Sequence, residues 1–308
     1  MINKLNFIII GAQKSGTTQL GAILSKNSKL YMPKEKEVPF LLPNSNLSKN
    51  WDEVFDLFFS KSTRDQLLFT SSPQYMLEKT DWKTLLAYNQ NIKFIAVLRD
   101  PIERLLSHFD MELRHGSIST DINGYVSRHI ESIFEDRDSF KNSNKCIVAG
   151  EYGRILTDLF KYVRKDNIKI INFQKFVNEE SEVIHEIFKF LDVPDIPKYS
   201  QDKVVQMRGG NKKIVNIDIE MTVLLFKNIL NFLGIYKLIP IKVINFFKRL
   251  TYYIHKVNVN QHSKTSISDL DKNLLNKLLG IYESDQNILM KLLNTKEQFF
   301  DFKIYKSK

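Results

Sequence analysis

The chain has 308 residues, 43% of them hydrophobic, enough to bury a full α/β core. Its one cysteine, Cys146, excludes an intrachain disulfide and a cysteine-based metal cluster, and no apolar run reaches the ~18 residues of a membrane-span candidate. A formal net charge of +10 favours an anionic partner, because a basic surface concentrates anions and speeds their encounter.

Phe7 to Ile10 is a short, β-branched apolar run stopped by Gly11, the pattern of a central strand in a parallel sheet. Gly16, Thr17 and Thr18 then lead into Leu20, Ile23 and Leu24, spaced as one helix face. Such a strand, turn and helix aims backbone N–H groups and the positive end of a helix dipole at one point, which suits a phosphate. Gly11 and Gly16 have the spacing of G-x-x-x-x-G-K-[ST], but Thr17 stands where a nucleoside triphosphatase needs its lysine, and the lysine present is Lys14. A lysine two residues before Gly16 lies across the loop, beside the ester or anhydride oxygen of a bound 5'-phosphate. The cradle therefore suits a shorter phosphate than a triphosphate.

Leu30 to Met32 reads as extended, Pro33 to Phe40 as a charged loop and Asp52 to Phe59 as a helix. Leu67 to Thr70 reads as a buried strand ending in Ser71-Ser72-Pro73-Gln74-Tyr75. Lys93 to Leu98 is another strand and runs into Arg99-Asp100-Pro101; Pro101 suits the first turn of a helix, with Ile102, Leu105, Leu106 and Phe109 on one face. Residues 116–147 are polar and poor in pattern, which predicts an irregular insertion. A helix follows Gly150, a strand spans Ile168 to Asn172, and a helix spans Glu182 to Leu191. This alternation predicts an α/β fold, a P-loop-like parallel sheet flanked by helices, as a single domain over 1–308. A basic amphipathic helical segment is expected at about 215–258, split by Pro240. Its two helices either pack on the core or on each other, or form a membrane-surface or partner-docking element through 221–257. The last helix is expected from Ser268, with Leu274, Leu275, Leu278, Leu279 and Tyr282.

Gly11 to Thr18 matches G-x-x-K-[SG]-G-T-[TS], and so resembles the 5'-phosphosulfate loop of sulfotransferases that use 3'-phosphoadenosine 5'-phosphosulfate (PAPS). Leu98-Arg99-Asp100-Pro101 with Arg104-x-x-Ser107-x-Phe109 resembles the same family's [LV]-R-[ND]-P and R-x-x-S-x-[YF]. Weaker likenesses are Gly150-Glu151-Tyr152, the helix end from Phe188 to Pro194, in which Asp192 stands where glycine is usual, and Tyr282-x-x-Asp285 with Leu289. The resemblance implies the PAPS sulfotransferase fold. It also implies Gln13, Lys14, Ser15, Gly16, Thr17 and Thr18 around the 5'-phosphosulfate, and Arg99 and Ser107 on the 3'-phosphate, as a forked charged donor and a neutral one. Arg208, in Arg208 to Lys213, is the rough counterpart of a loop that closes over the nucleotide, near the 3'-phosphate or the acceptor.

On the acceptor side, Lys36-Glu37-Val38-Pro39-Phe40 resembles the K-E-x-x-[FY] stretch of glycosaminoglycan-type sulfotransferases, whose Glu is the proposed base. The resemblance makes Glu37 the group that takes the acceptor proton, with Glu35 the nearest competitor, and Lys14 the group that stabilises charge on the bridging oxygen. The family's E-K-[ST]-P-x-Y appears as Thr70 to Tyr75, so its lysine is Ser71 here. Lys34 or Lys36 then supplies that charge, with Ser72 and Tyr75 beside the acceptor, while His108 reads as a packing or surface residue. The implied reaction is sulfuryl transfer from PAPS to a hydroxyl, less readily an amine, of a carbohydrate, releasing adenosine 3',5'-bisphosphate (PAP), without a metal. The expected partner is a glycan or glycolipid, and no nucleic acid. With its first strand inside the first ten residues the chain is expected in the cytoplasm, with peripheral contact at the inner membrane surface. Three rivals remain: a P-loop-type small-molecule kinase, against which the place of Lys14 speaks; a non-catalytic PAPS- or PAP-binding protein, which Ser71 keeps open; and a membrane-surface partner whose 221–257 helices are the functional part.

Overall fold

The computed structural model describes residues 4–38, 40–42, 50–77, 80–115, 117–118, 120–135, 145–195, 212–214, 259–261 and 264–306. Arg208 and the basic segment expected at 215–258 lie outside them. The chain divides into two compact units, one built from Met1–Leu105, Val126–Met207 and Asp271–Lys308, the other from Leu106–Tyr125 and Arg208–Leu270.

In the first unit, strands β1 (Leu5–Gly11), β2 (Leu30–Tyr31), β3 (Leu67–Ser71), β4 (Lys93–Leu98) and β5 (Ile168–Asn172) form a parallel sheet in the order β2-β3-β1-β4-β5. Among the described residues the α-helices are α1 (Thr17–Leu24), α2 (Trp51–Val54), α3 (Gln74–Leu77), α4 (Trp82–Tyr88), α5 (Pro101–His115), α6 (Ile122–Glu135), α7 (Lys145–Val148), α8 (Tyr152–Phe160), α9 (Phe173–Asn178), α10 (Glu180–Leu191), α11 (Lys272–Leu293) and α12 (Lys303–Lys306). Phe7, Ile8, Ile9 and Ile10 are all fully buried, as a strand covered on both faces requires. Successive side chains alternate between faces, so Phe7 and Ile9 join Phe69, Ile95, Val97 and Ile171 against Leu20 and Ile23 of α1 and Ile184 and Ile187 of α10. Phe7 stacks on Phe69, its register partner, with centroids 4.5 Å apart. Each such side chain contributes about 1.5–3 kcal/mol by burial. Because the strands are parallel, β1, β3, β4 and β5 all end at one edge, where sheets of this kind place ligands.

Three expectations are corrected. Residues 122–135 are not irregular: they form α6, with Ile122, Tyr125, Val126, Ile130 and Ile133 buried at three- and four-residue spacings. The stretch from Trp51 to Phe59 is a short α-helix followed by a π-helical turn over Phe55–Phe59, which accounts for its mixed apolar spacing. The helix expected from Ser268 is α11, which starts at Lys272 because Asp271 accepts N–H bonds from Asn273 and Leu274, and the short α12 follows it. A capping box between Ser266 and Asp269 closes a separate turn just before it.

Helix α8 packs on α11 at Gly153, where a Cβ would lie 2.3 Å from the Asp285 carbonyl oxygen. The Asp285 carboxylate accepts from the Gly153 and Arg154 amides at 2.7 and 2.8 Å, capping α8 from another helix. Burial pushes its pKa from 3.8 up to about 6 against those two hydrogen bonds. A raised carboxyl pKa favours the fold most below the unfolded value, and that contribution is lost as pH rises through the folded one. From about pH 4 to about pH 7 the wild type is therefore expected to lose about 2 kcal/mol relative to Asp285→Asn. Urea unfolding of both proteins at the two pH values measures this, and a constant difference would refute it.

In the second unit, Phe109 packs on Tyr125 with centroids 5.1 Å apart, and the Tyr125 hydroxyl donates to Glu112 at 2.9 Å. Asp110 accepts the Thr265 amide, and β6 (Lys212–Ile214) pairs antiparallel with β7 (Val259–Gln261). Among the described residues no helix is long and apolar enough to cross a membrane.

Candidate active site

The loop after β1 is built for close backbone approach to a ligand. Ala12 N–H is anchored on the Val97 carbonyl of β4 at 2.8 Å, and Ser15 N–H on the Ala12 carbonyl at 3.2 Å. Lys14 and Gly16 flank Ser15 with left-handed backbones, φ +68° and +79°. Such alternation makes a concave nest of N–H groups. Gly16 is also the N-cap of α1, and a Cβ on it would lie 3.0 Å from the Phe173 ring, so two separate constraints demand glycine. The amides of Thr17, Thr18 and Gln19 fall in the first turn of α1, beyond reach of an intrahelical acceptor and at the positive end of its dipole. Ser15 and Thr17 are buried; Gln13, Lys14 and Thr18 are half-buried.

Arg99, at the carboxyl end of β4, is held from three directions. Its Nε and Nη2 donate to Glu103 Oε2 at 3.2 and 2.9 Å, Nη1 donates to the Lys14 carbonyl at 3.3 Å, and the guanidinium lies over the Phe173 ring at 5.0 Å. The Tyr152 hydroxyl donates to the Arg99 carbonyl at 2.9 Å, and burial pushes that phenol up to about 12, so it stays a donor across the physiological range. Asp100 caps α5, accepting from the Ile102 and Glu103 amides at 2.9 and 3.0 Å, while burial raises its pKa above the ordinary carboxylate value. The two stretches singled out as phosphate ligands thus meet through Arg99 and Lys14. Ser107 lies further along α5, in the second unit, half-buried.

The charged loop is stitched to the end of β3. The Lys36 carbonyl accepts from Ser71 N–H at 2.8 Å and Thr70 Oγ1 at 2.6 Å, and Val38 N–H donates to Thr70 Oγ1 at 3.1 Å. Ser71 Oγ in turn donates to the Thr17 carbonyl of α1 at 3.3 Å. A run of hydrogen bonds therefore links the Lys36-Glu37 loop to the phosphate loop. Glu37 is exposed and its carboxylate accepts from Lys36 Nζ at 2.7 Å; Lys34 and Glu35 are exposed as well. Ser72 is fully buried, and its hydroxyl has no hydrogen-bond partner among the described residues. Tyr75 is buried with its hydroxyl committed to the Phe40 carbonyl, so it braces the charged loop. The sequence reading missed Glu103 and Phe173. Each carries a signal: Glu103 is four residues from Arg99 on the helix that follows, and Phe173 directly follows the carboxyl end of β5.

A family model described as the sulfotransferase domain matches residues 4–213, more than half of the chain and all of the parallel sheet. The chain belongs to the sulfotransferase family. This sulfotransferase is 22% identical over 220 residues to the bifunctional heparan sulfate N-deacetylase/N-sulfotransferase 1 of Caenorhabditis briggsae, a match covering 68% of this chain and 25% of that protein. It is 25% identical over 200 residues to bifunctional heparan sulfate N-deacetylase/N-sulfotransferase 4 of Mus musculus, covering 63% and 23%. The match thus spans about a quarter of the length of these curated relatives. Among solved structures, a sulfotransferase from Alicyclobacillus acidocaldarius superposes with a TM-score of 0.63 at 15% identity, over 96% of this chain and 98% of that one, which shows the fold. The parallel sheet flanked by helices that the alternation of elements predicts is the sheet of the sulfotransferase fold.

Proposed function

We propose that this sulfotransferase moves a sulfuryl group from PAPS to a carbohydrate hydroxyl, or less readily an amine, and releases PAP. The observation that carries the reading is Arg99: a cation fixed over Phe173 and bonded to the Lys14 carbonyl joins the two phosphate motifs at the carboxyl edge of the sheet. The nest from Gln13 to Thr18 suits the 5'-phosphosulfate, and Arg99 suits the 3'-phosphate. The names of the two relatives support a glycan acceptor, and their N-sulfotransferase activity is what keeps an amine in the reading. The buried, unpartnered Ser72 hydroxyl fits a polar ligand group, since buried hydroxyls are ordinarily satisfied.

Transfer needs the acceptor oxygen relieved of its proton while the departing phosphate gains charge. Glu37 takes the proton, and Lys14 faces the charge that grows on the bridging oxygen. Lys34 or Lys36 supplies the cation whose usual position is occupied by Ser71, and the Lys36 backbone is bonded to Ser71 itself. Glu37→Gln is expected to keep PAP affinity within about threefold and to lose transfer by about 100-fold or more. Labelled PAPS with a panel of glycans, both N-acetylated and N-deacetylated, measures it. Near-normal transfer would move the base to Glu35, and no labelled product from any glycan with the wild type would remove the carbohydrate reading.

A further inference from the structure

Strand β2 is only two residues long and pairs with Leu67 and Leu68, so beyond Leu68 the outer edge of β3 has no strand beside it among the described residues. The charged loop takes that place. Its Lys36 carbonyl accepts from Ser71 N–H at 2.8 Å, much as a neighbouring strand would. One side chain then grips the loop on both sides of Glu37: Thr70 Oγ1 donates to the Lys36 carbonyl at 2.6 Å and accepts from Val38 N–H at 3.1 Å. Thr70 and Val38 are fully buried, and the Thr70 backbone is fixed in the sheet opposite Ile8 of β1. The Glu37 side chain between these two anchors is 44% exposed. Further along, the Phe40 carbonyl is held by the Tyr75 hydroxyl, and its ring packs edge-on against Trp51 and Tyr88 at 5.1 and 4.9 Å.

We propose that Thr70 is a positioning residue for sulfuryl transfer, fixing the backbone on both sides of Glu37 so that its carboxylate meets the acceptor; the inference rests on Glu37 being the base. A hydroxyl suits this task because it donates and accepts at once. Its proton goes to the Lys36 carbonyl, and its oxygen takes the Val38 N–H. With both neighbours tied to a group set in the sheet, Glu37 keeps chiefly its own side-chain rotations. That matters for a proton acceptor, since misplacement by about 1 Å is enough to cost about 100-fold in rate. Thr70 stands where the pattern E-K-[ST]-P-x-Y has a glutamate, which when ionised only accepts, so the pattern does not foretell this two-sided hold.

The test is Thr70→Val in the full chain, which keeps the branched shape and removes the hydroxyl, read with labelled PAPS and the panel of N-acetylated and N-deacetylated glycans. kcat is expected to fall about 10-fold, with KM for PAPS and the PAP dissociation constant within about threefold of wild type. Thr70→Ser, which keeps the hydroxyl, is expected to hold kcat within about threefold of wild type. In a Glu37→Gln background, Thr70→Val is expected to add less than about twofold, because the group it positions has gone. Should Thr70→Val not fold, Thr70→Cys, whose thiol is a weak donor and acceptor, is expected to show the same split between kcat and PAP affinity. A kcat within about twofold of wild type, PAP affinity falling in step with kcat, no rescue by serine, or an undiminished loss beside Glu37→Gln would each overturn the assignment while leaving Glu37 as the base. Near-normal transfer by Glu37→Gln alone would instead overturn the base reading, and this inference with it.

Discussion

Lys14→Ala is expected to bind PAP within about threefold of the wild type while sulfuryl transfer falls by about 10²- to 10³-fold. The asymmetry follows from how the loop is made. Phosphate is held by backbone amides of the nest and of the first turn of α1, and these survive loss of one side chain. The carbonyl of Lys14 that accepts from Arg99 survives too. Its left-handed backbone is no easier for lysine than for alanine, so the variant is expected to fold as the wild type does. What disappears is a cation beside an oxygen that becomes strongly negative only as the sulfuryl group leaves, an interaction made in the transition state rather than the ground state. Single-turnover kinetics with labelled PAPS, alongside PAP titration, separates the two. If affinity and turnover fall together, Lys14 merely holds the loop.

Arg99→Ala is expected to raise the PAP dissociation constant by about 100-fold or more. Hydrogen bonds to charged groups contribute about 1.5–3 kcal/mol each, and a guanidinium can offer two in parallel to one phosphate. Arg99 is oriented before any ligand arrives, over Phe173 and against Glu103, so little ordering is needed on binding. Glu103 is half exposed and loses little when its partner goes, so the change is expected to show in affinity rather than stability. Arg99→Lys, which keeps the charge without the fork, is expected to fall between the two. A calorimetric Kd within about threefold of wild type for Arg99→Ala would place the 3'-phosphate elsewhere.

These two residues were legible because each sits at the end of a strand that the sequence announces plainly. Phe7 to Ile10 and Phe94 to Leu98 are continuous apolar runs, and burial on both faces leaves such strands no other pattern. Helix α6 was hidden because its buried positions, among them Tyr125, Val126 and Ile130, are diluted by Ser, Arg, His and Glu on the opposite face. What holds the site in place was less visible still. Phe173 reaches Arg99 and Gly16 across long stretches of chain, and no local spacing encodes such a contact. Tyr75 shows the converse: a motif position suggests an acceptor contact, while its hydroxyl bonds the Phe40 carbonyl and braces the loop from inside. The departure at Ser71 was legible as a missing charge. Its consequence, a backbone tie between Ser71 and Lys36, needed the fold.

The most direct test of the donor reading is calorimetric titration of the wild-type protein with PAP, repeated in the presence of excess ATP and Mg²⁺. Saturable binding of PAP that ATP with Mg²⁺ fails to displace is the result that a loop made for a single 5'-phosphate, with Arg99 on a 3'-phosphate, predicts. Binding of ATP with Mg²⁺ and none of PAP would contradict it, and would make the first-strand loop that of a kinase despite the position of Lys14.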